Sequence, residues 1–157
     1  MAQRVSVPAD VVALKVLDQV DYQDAFAAET CEHRSAEQWA RLCFEVDPPA
    51  VLLIPALVLA PFGIAAGRAA TTGIGGLQIL RNEPENIVLG FNVTFGTPRI
   101  VFSAQPDRVV MSTLLRLDGF AGRVAWGLIA PLHRVTARSL VDHAAKVAAR
   151  ESTRSSG

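Results

Sequence analysis

The sequence predicts an α+β fold in which an antiparallel sheet of five or six strands packs against one long C-terminal helix. Residues 77–117 form a series of apolar segments separated by short turns. These connections are too short for parallel crossovers, which need about a dozen residues, so neighbouring strands must run antiparallel. A helical pattern then continues to Glu151. Strands followed by a single long helix indicate this class of fold.

Alternating apolar and small or polar residues identify the strands of this series. The predicted segments are 77–81, 86–95, 99–104 and 108–117, separated by turns at 82–85, 96–98 and 105–107. The second segment alternates over its whole length, which is typical of a half-buried strand. The last segment carries apolar residues on both faces, so we expect the sheet to be covered on one side and partly on the other.

The C-terminal helix has one apolar face. When the residues are placed at 100° per position around a helix axis, the apolar residues, which are spaced by three or four, fall on one arc. The charged residues fall on the opposite side. The apolar arc holds Leu132, Thr136, Leu140, Ala144 and Val147, and the charged side holds Arg134, Arg138, Asp142 and Lys146. Pro131 predicts a kink or two abutting helices. His133 and His143 lie on or beside the apolar arc, so this helix is the first place to look for a site.

The N-terminal part is less regular. Residues 1–10 are predicted to be a flexible arm, and 11–17 are consistent with an edge strand or an entry segment. Weak alternation predicts a first strand over 21–30. Ser35 followed by Gln38 forms a capping box that should begin a helix, which Pro48 and the next proline end.

Residues 48–67 contain no charged side chain, and their length alone would allow a membrane span. Four prolines within this stretch would break a helix in the bilayer, so we favour one or two short helices buried over the core. A membrane-inserted or interfacial segment remains the alternative. With the helix at Ser35, this gives two short helices after the first strand. The polar end of the chain, 152–157, is predicted to be disordered.

Composition excludes several classes of function. Fifteen basic and fifteen acidic residues give no net charge, and no basic face carries interleaved aromatic residues, so nucleic acid is not an expected partner. The first twenty residues contain charges that a secretory signal would lack, which favours a cytoplasmic protein with Cys31 and Cys43 as free thiols. Neither cysteine completes a zinc-binding spacing with the histidines, so no metal or other cofactor is expected. No G-x-S-x-G turn is present.

Four segments carry a resemblance to a known family: DYQDAF, AEQWARLCFE, ENIVLGF and LLRLDGFAGRVAWGLIAPLHRV. In content and order they are similar to an uncharacterised bacterial family, described as a domain of unknown function, within the START-like (SRPBCC, helix-grip) superfamily. The resemblance implies a curved sheet wrapped around the last helix with an apolar cavity between them. It also implies a single START-like domain over 11–151. It supplies no catalytic residue.

The implied cavity leads to a set of candidate ligand-binding residues. They are the two histidines and the large apolar side chains expected to face the cavity: Trp39, Phe62, Phe91, Phe102, Met111, Trp126, His133, Leu140 and His143. The favoured function is binding of a lipid-like or polycyclic molecule. The alternatives are an enzyme of the polyketide cyclase or dehydratase type and a membrane-surface protein using 48–67. Each histidine could instead simply bond a backbone carbonyl.

Overall fold

The computed structural model describes residues 1–46 and 73–155. Seven strands and three helices lie within this part of the chain. In chain order they are β1 (Gln3–Val5), α1 (Ala9–Ala13), β2 (Tyr22–Glu29), α2 (Ala36–Phe44), β3 (Gly73–Ile74), β4 (Leu77–Asn82), β5 (Asn86–Gly90), β6 (Gly96–Ala104), β7 (Arg108–Leu117) and α3 (Gly119–Ser155).

The strands form one antiparallel sheet in the order β1-β2-β7-β6-β5-β4-β3. This arrangement, with α3 packed against it, confirms the predicted α+β fold. The sheet has seven strands rather than five or six. The additional strands are the two at its edges, β1 and β3, which span three and two residues. Strands this short contain too few residues to show an alternating pattern.

The central pairing joins a strand from the N-terminal part of the chain, β2, to the last strand, β7. Strand β2 pairs with β7 along its whole length, from Tyr22 opposite Leu115 to Glu29 opposite Arg108. Strands β4 to β7 follow one another as hairpins, as the short turns predict. The long-range pairing of β2 with β7 also sets Asp24 directly opposite Thr113.

The main hydrophobic core lies between the inner face of the sheet and the two longer helices, α2 and α3. The sheet contributes Phe26, Ile87, Phe102 and Met111, together with other apolar residues of the same face. The helices contribute Trp39, Cys43, Ala137, Leu140, Val141, Ala144 and Ala148. The buried positions of α3 confirm that the predicted apolar arc faces the sheet, with its ends, Leu132 and Val147, half-buried.

The outer face of the sheet is covered by the N-terminal segment. Val11 of α1 packs with Val88, Val101 and Leu114, and the half-buried residues around α1 extend this cluster. Val5 and Val7 pack against Ala25, Ala27 and Val110 next to it. The sheet is therefore the middle layer of three, which agrees with the apolar residues on both faces of β7.

Three predictions about the N-terminal half and the last residues differ from the structure. The flexible arm predicted for 1–10 instead contains β1 and the start of α1, and Ala2 is buried. The apolar run 11–17 begins in a helix rather than an edge strand. The tail predicted to be disordered from 152 continues α3 to Ser155. Pairing with β2 accounts for β1, and no local pattern could report it.

A boundary in the meander also differs. The predicted strand 86–95 ends at Gly90, and the predicted turn 96–98 forms the start of β6. Residues 91–95 lie between these strands, with Val93 and Gly96 forming an isolated bridge. The alternation of apolar residues continues through 91–95 because the side chains of Phe91, Val93 and Phe95 still face the interior. The backbone of this segment, however, is no longer part of a strand of the sheet. That change of backbone produces one wall of the site described below.

The helix starts follow from local chemistry. Ser35 and Gln38 form the predicted capping box at the start of α2, with 3.3 Å from Gln38 N to Ser35 Oγ and 2.9 Å from Ser35 N to Gln38 Oε1. Gly119 adopts a φ of 66° at the start of α3, a backbone conformation that favours glycine. A Cβ at Gly122 would lie 2.6 Å from the carbonyl oxygen of Phe95, so glycine permits this close approach.

Helix α3 continues through Pro131 as one element. The structure therefore has a single helix of 37 residues in place of two abutting helices, and the kink at Pro131 stays a prediction. A proline inside a helix removes one N–H donor, so the carbonyl of Gly127 loses its usual partner.

The apolar stretch 48–67, including the second predicted helix and Phe62, lies outside the described residues. Within the residues that are described, no helix combines the length and the apolar character that a membrane span needs.

Candidate functional site

A cavity of about 100 Å³ lies between α3 and one end of the inner face of the sheet. Its walls come from three places: the segment after β5, the ends of β6 and β7, and the first half of α3. The lining residues are Phe91, Val93, Phe95, Pro98, Ile100, Thr113, Leu115, Trp126, Ile129, Leu132, His133 and Thr136. Residues 91–95, which leave the sheet after β5, form one wall of this space beneath the helix.

The cavity is apolar over most of its wall and partly open to the surface. Phe95, Ile100, Leu115 and Ile129 are buried, whereas the aromatic and aliphatic residues of the rim are half-buried. The polar side chains on the wall are Thr113, Trp126, His133 and Thr136. An apolar space with a few polar groups on its wall is the usual form of a small-molecule site.

A buried carboxylate lies behind His133. His133 Nε2 is 3.4 Å from Asp24 Oδ1, and the side chain of Asp24 is 0% exposed. Tyr22 donates its hydroxyl to Asp24 Oδ2 at 2.6 Å, and Arg134 Nε donates to the Tyr22 oxygen at 3.2 Å. These four residues form a chain of polar contacts from the surface to the cavity wall.

Two opposing effects set the charge of Asp24. Burial raises the pKa of its carboxyl group, because a charged group loses its hydration. The hydrogen bond and positive charge of His133, the Tyr22 hydroxyl and the charge of Arg4 act in the other direction and outweigh burial. The pKa of Asp24 therefore lies below its ordinary value of 3.8, and the group is ionised at neutral pH. Burial and the neighbouring carboxylate raise the pKa of Tyr22, which keeps its proton.

Two further polar atoms at the cavity have no hydrogen-bond partner among the described residues. Thr113 Oγ1 is buried on the inner face of β7, opposite Asp24 in the sheet. Trp126 Nε1 is buried on α3. The centroid of the Trp126 ring lies 5.2 Å from the ring centroid of His133 and 4.9 Å from that of Tyr22. A buried polar atom without a partner costs about 1–3 kcal/mol, so each such atom calls for an explanation.

The structure divides the nine candidate residues into separate groups. Phe91, Trp126 and His133 line the cavity. The second group lies in the main core, away from the cavity wall: Trp39, Phe102, Met111 and Leu140. Because α2 covers that part of the sheet, these side chains pack on one another within the core.

His143 differs from His133. Its Nε2 lies 2.9 Å from the backbone carbonyl oxygen of Val46, which is the structural role expected as the alternative to ligand binding. His143 lies further along α3 than His133 and does not line the cavity. Only one of the two histidines of α3 therefore belongs to the candidate site.

The cysteines are free, as predicted, with Cys31 exposed and Cys43 buried. Burial raises the pKa of the Cys43 thiol, and its sulfur lies 3.7 Å from the carbonyl oxygen of Leu140. This thiol is an inert core group. In the described part of the chain, no three His, Cys, Asp or Glu residues are grouped so that they could hold a metal ion.

Sequence reasoning missed Asp24, Tyr22 and Thr113 as members of the site. A signal was present, because the period of the first strand places Tyr22 and Asp24 on the same face as Phe26, which is buried. An acidic residue on a buried strand face is rare unless it has a partner. The partner could not be identified from the sequence, since His133 lies 109 residues further along the chain.

Comparison with known proteins identifies the family. A family model described as "Protein of unknown function (DUF2867)" matches residues 10–140, which is most of the chain. The chain belongs to this family. No curated protein matches it, and no solved structure does. The match includes β2, β7 and the first part of α3, so the family's region contains Asp24, Thr113 and His133.

Proposed function

We propose that this protein binds a small apolar molecule with one polar end in the cavity between the sheet and α3. The observation that carries the proposal is an apolar cavity whose wall contains a buried hydroxyl, Thr113 Oγ1, without a partner among the described residues. A ligand would bury its apolar part among the aromatic and aliphatic side chains. Its polar end would satisfy Thr113, Trp126 or His133.

The volume of the cavity sets the size of the group that it can enclose. Pockets for drug-sized ligands have volumes of about 300–1,000 Å³, and an engineered cavity of about 150 Å³ binds benzene. A space of about 100 Å³ therefore suits one ring or a short alkyl group. A lipid-like or polycyclic ligand, as favoured from the sequence, would place only one end inside and extend past the half-buried rim.

The relationship to the START-like superfamily is part of this proposal. It is supported by the order of elements, with a meander followed by one long helix, and by a cavity between sheet and helix. An enzyme in the same cavity is the second candidate. One observation favours it, namely the buried Asp24 carboxylate beside His133, because such a pair is a common arrangement for proton transfer.

Binding can be tested with three molecules of one ring each: phenol, benzonitrile and toluene. Titration of the ¹⁵N-labelled protein should show saturable shifts for residues that line the cavity with at least one of the three. Ile129→Trp places an indole in the cavity and should weaken that binding more than tenfold. The added volume should also lower stability by about 1–3 kcal/mol, which thermal unfolding would measure.

Leu128→Trp is the matched control. It introduces the same side chain one position earlier in α3, where the native leucine is 80% exposed. This variant should bind like the wild type. The proposal is wrong if none of the three molecules binds saturably, or if the folded Ile129→Trp variant binds as well as Leu128→Trp does.

A further inference from the structure

The side of α3 that faces away from the sheet carries exposed apolar residues along its first half. Phe120 and Leu128 are each 80% exposed, and Val124 and Val135 are 49% and 57% exposed. At about 100° per residue around the helix axis, these four side chains lie within an arc of about 80°. They form a strip about 23 Å long, since each residue of a helix adds about 1.5 Å. A grouped set of exposed apolar side chains marks a binding surface, whereas scattered ones are ordinary.

Arginines border this strip along one side. Arg123, Arg134 and Arg138 are exposed and lie within about 60° of the strip around the helix axis. Residues 119–141 contain no acidic side chain, so the charged groups of this part of α3 have one sign. Arg123 lies 3.4 Å from a carboxylate oxygen of Asp21, which offsets its charge. The other two arginines donate to uncharged groups.

The contacts of these two arginines leave their positive charge at the surface. Arg134 Nε donates to the hydroxyl oxygen of Tyr22 at 3.2 Å, and Arg138 Nε donates to a backbone carbonyl oxygen of the N-terminal segment at 2.9 Å. The Asp24 carboxylate also attracts Arg134, but it is buried and held by Tyr22 and His133. The border of the apolar strip therefore has an excess of positive charge.

We propose that this face of α3 binds a membrane surface that contains anionic phospholipids. Phe120, Val124 and Leu128 enter the boundary between headgroups and acyl chains, and the bordering arginines bind the lipid phosphates. Helices that lie in the plane of a membrane surface have this composition, with large apolar side chains on one arc and cations beside it. The surface lies wholly within α3, on the side away from the cavity.

A second copy of the chain fits this face less well. A two-fold contact through it would bring together the arginines of both copies, and residues 119–141 supply no carboxylate to pair with them. The strip is also small. A footprint about 23 Å long and about 10 Å wide covers on the order of 230 Å², whereas each partner of a stable dimer buries roughly 800 Å². Charge and size both favour a lipid surface.

Flotation with lipid vesicles tests the proposal. The protein should bind vesicles of phosphatidylcholine with about one-third phosphatidylglycerol roughly tenfold more tightly than vesicles of phosphatidylcholine alone, because only the former attract the arginines. Salt at about 0.5 M should remove most of this difference. If the protein does not bind the phosphatidylglycerol vesicles, or binds both kinds equally, the proposal is wrong.

Leu128→Ser tests whether the apolar strip makes the contact. It should weaken binding to the phosphatidylglycerol vesicles about tenfold, since the membrane no longer buries the leucine side chain. Val12→Ser is the matched control. It removes an apolar side chain that is 54% exposed on α1, which covers the other face of the sheet, and it should leave vesicle binding unchanged. Both positions are exposed, so both variants should fold. Equal binding by the two variants would overturn the proposal.

Light scattering after size-exclusion chromatography tests the second copy as the occupant. Without lipid, the wild type and Leu128→Ser should elute with the same mass, because the strip does not hold two chains together. A dimer that Leu128→Ser dissociates and Val12→Ser does not would assign this face to a second copy and overturn the membrane proposal.

Discussion

Asp24 carries most of the chemistry of the site. It is a carboxylate with a fully buried side chain on a strand face that it shares with Tyr22, Phe26 and Ala28. Removing one partner of a buried ionic pair usually costs about 3–5 kcal/mol, because the remaining charge lies in a medium that cannot solvate it. Its contacts with His133 and Tyr22 make this position tolerable.

The pH dependence of stability should report the same contacts. The pKa of Asp24 is lowered in the folded protein, so the group binds a proton more readily after unfolding. Its contribution to stability is therefore complete above the ordinary value of 3.8 and is lost as the pH falls through the folded pKa. We expect the difference in free energy of unfolding between wild type and Asp24→Asn to shrink on acidification below that value. Urea unfolding across a pH series would measure it.

A difference that stays constant, or grows, as the pH is lowered would show that Asp24 is not held ionised by its neighbours. Asp10→Asn serves as the comparison. The Asp10 side chain lies at the surface, so exchanging it should not alter the acid branch of the profile.

At the scale of elements, α3 performs two structural tasks with one face. Its middle, around Ala137 and Leu140, closes the main core over α2 and the sheet. Its first half passes over the end of the sheet where α2 does not reach and forms the roof of the cavity. The opposite side of the same first half exposes several large apolar residues: Phe120, Val124, Leu128 and Val135.

The two sides of α3 should respond differently to truncation. Leu140 is 2% exposed in the main core, and Leu140→Ala should lower the free energy of unfolding by about 2–5 kcal/mol. Leu128→Ala removes the same atoms from an exposed position and should change it by no more than about 0.5 kcal/mol. Denaturant unfolding of both variants checks this prediction. Equal effects would mean that α3 packs with a different face toward the sheet.

At the scale of the whole molecule, the sheet has covers on both faces. The N-terminal segment, rather than a second set of long helices, covers the outer face through Val11 and its neighbours. The start of the chain is also fixed to α3, because Ala2 N donates to Asp142 Oδ1 at 3.1 Å and Arg138 Nε donates to Ala2 O at 2.9 Å. The first residues therefore connect the sheet edge to the helix.

Two adjacent valines in α1 test this outer layer. Val11 is 0% exposed and Val12 is 54% exposed. Val11→Asp would bury a carboxylate without a partner and should destabilise the protein by several kcal/mol, on the order of 3 or more. Val12→Asp should have an effect of less than about 0.5 kcal/mol. Thermal and urea unfolding would show the contrast. If neither substitution changed the free energy of unfolding, the N-terminal segment would not pack on the sheet.

Local interactions explain which predictions were confirmed. The capping box at Ser35, the alternation around Ile87 and the apolar arc through Leu140 each involve residues within a few positions of one another. Such patterns depend on backbone geometry that repeats, so the sequence alone shows them. They were enough to predict an antiparallel sheet with one long helix packed against it.

The sequence by itself determined β2, the strands β4 to β7, α2, the apolar face of α3 and the presence of a histidine on that face. The tertiary structure alone decided which groups meet there. Asp24 reaches His133 because β2 pairs with β7, and the cavity exists because α2 covers only part of the sheet. Both depend on contacts between residues far apart in the chain, whose energies come from packing and burial rather than from any local pattern.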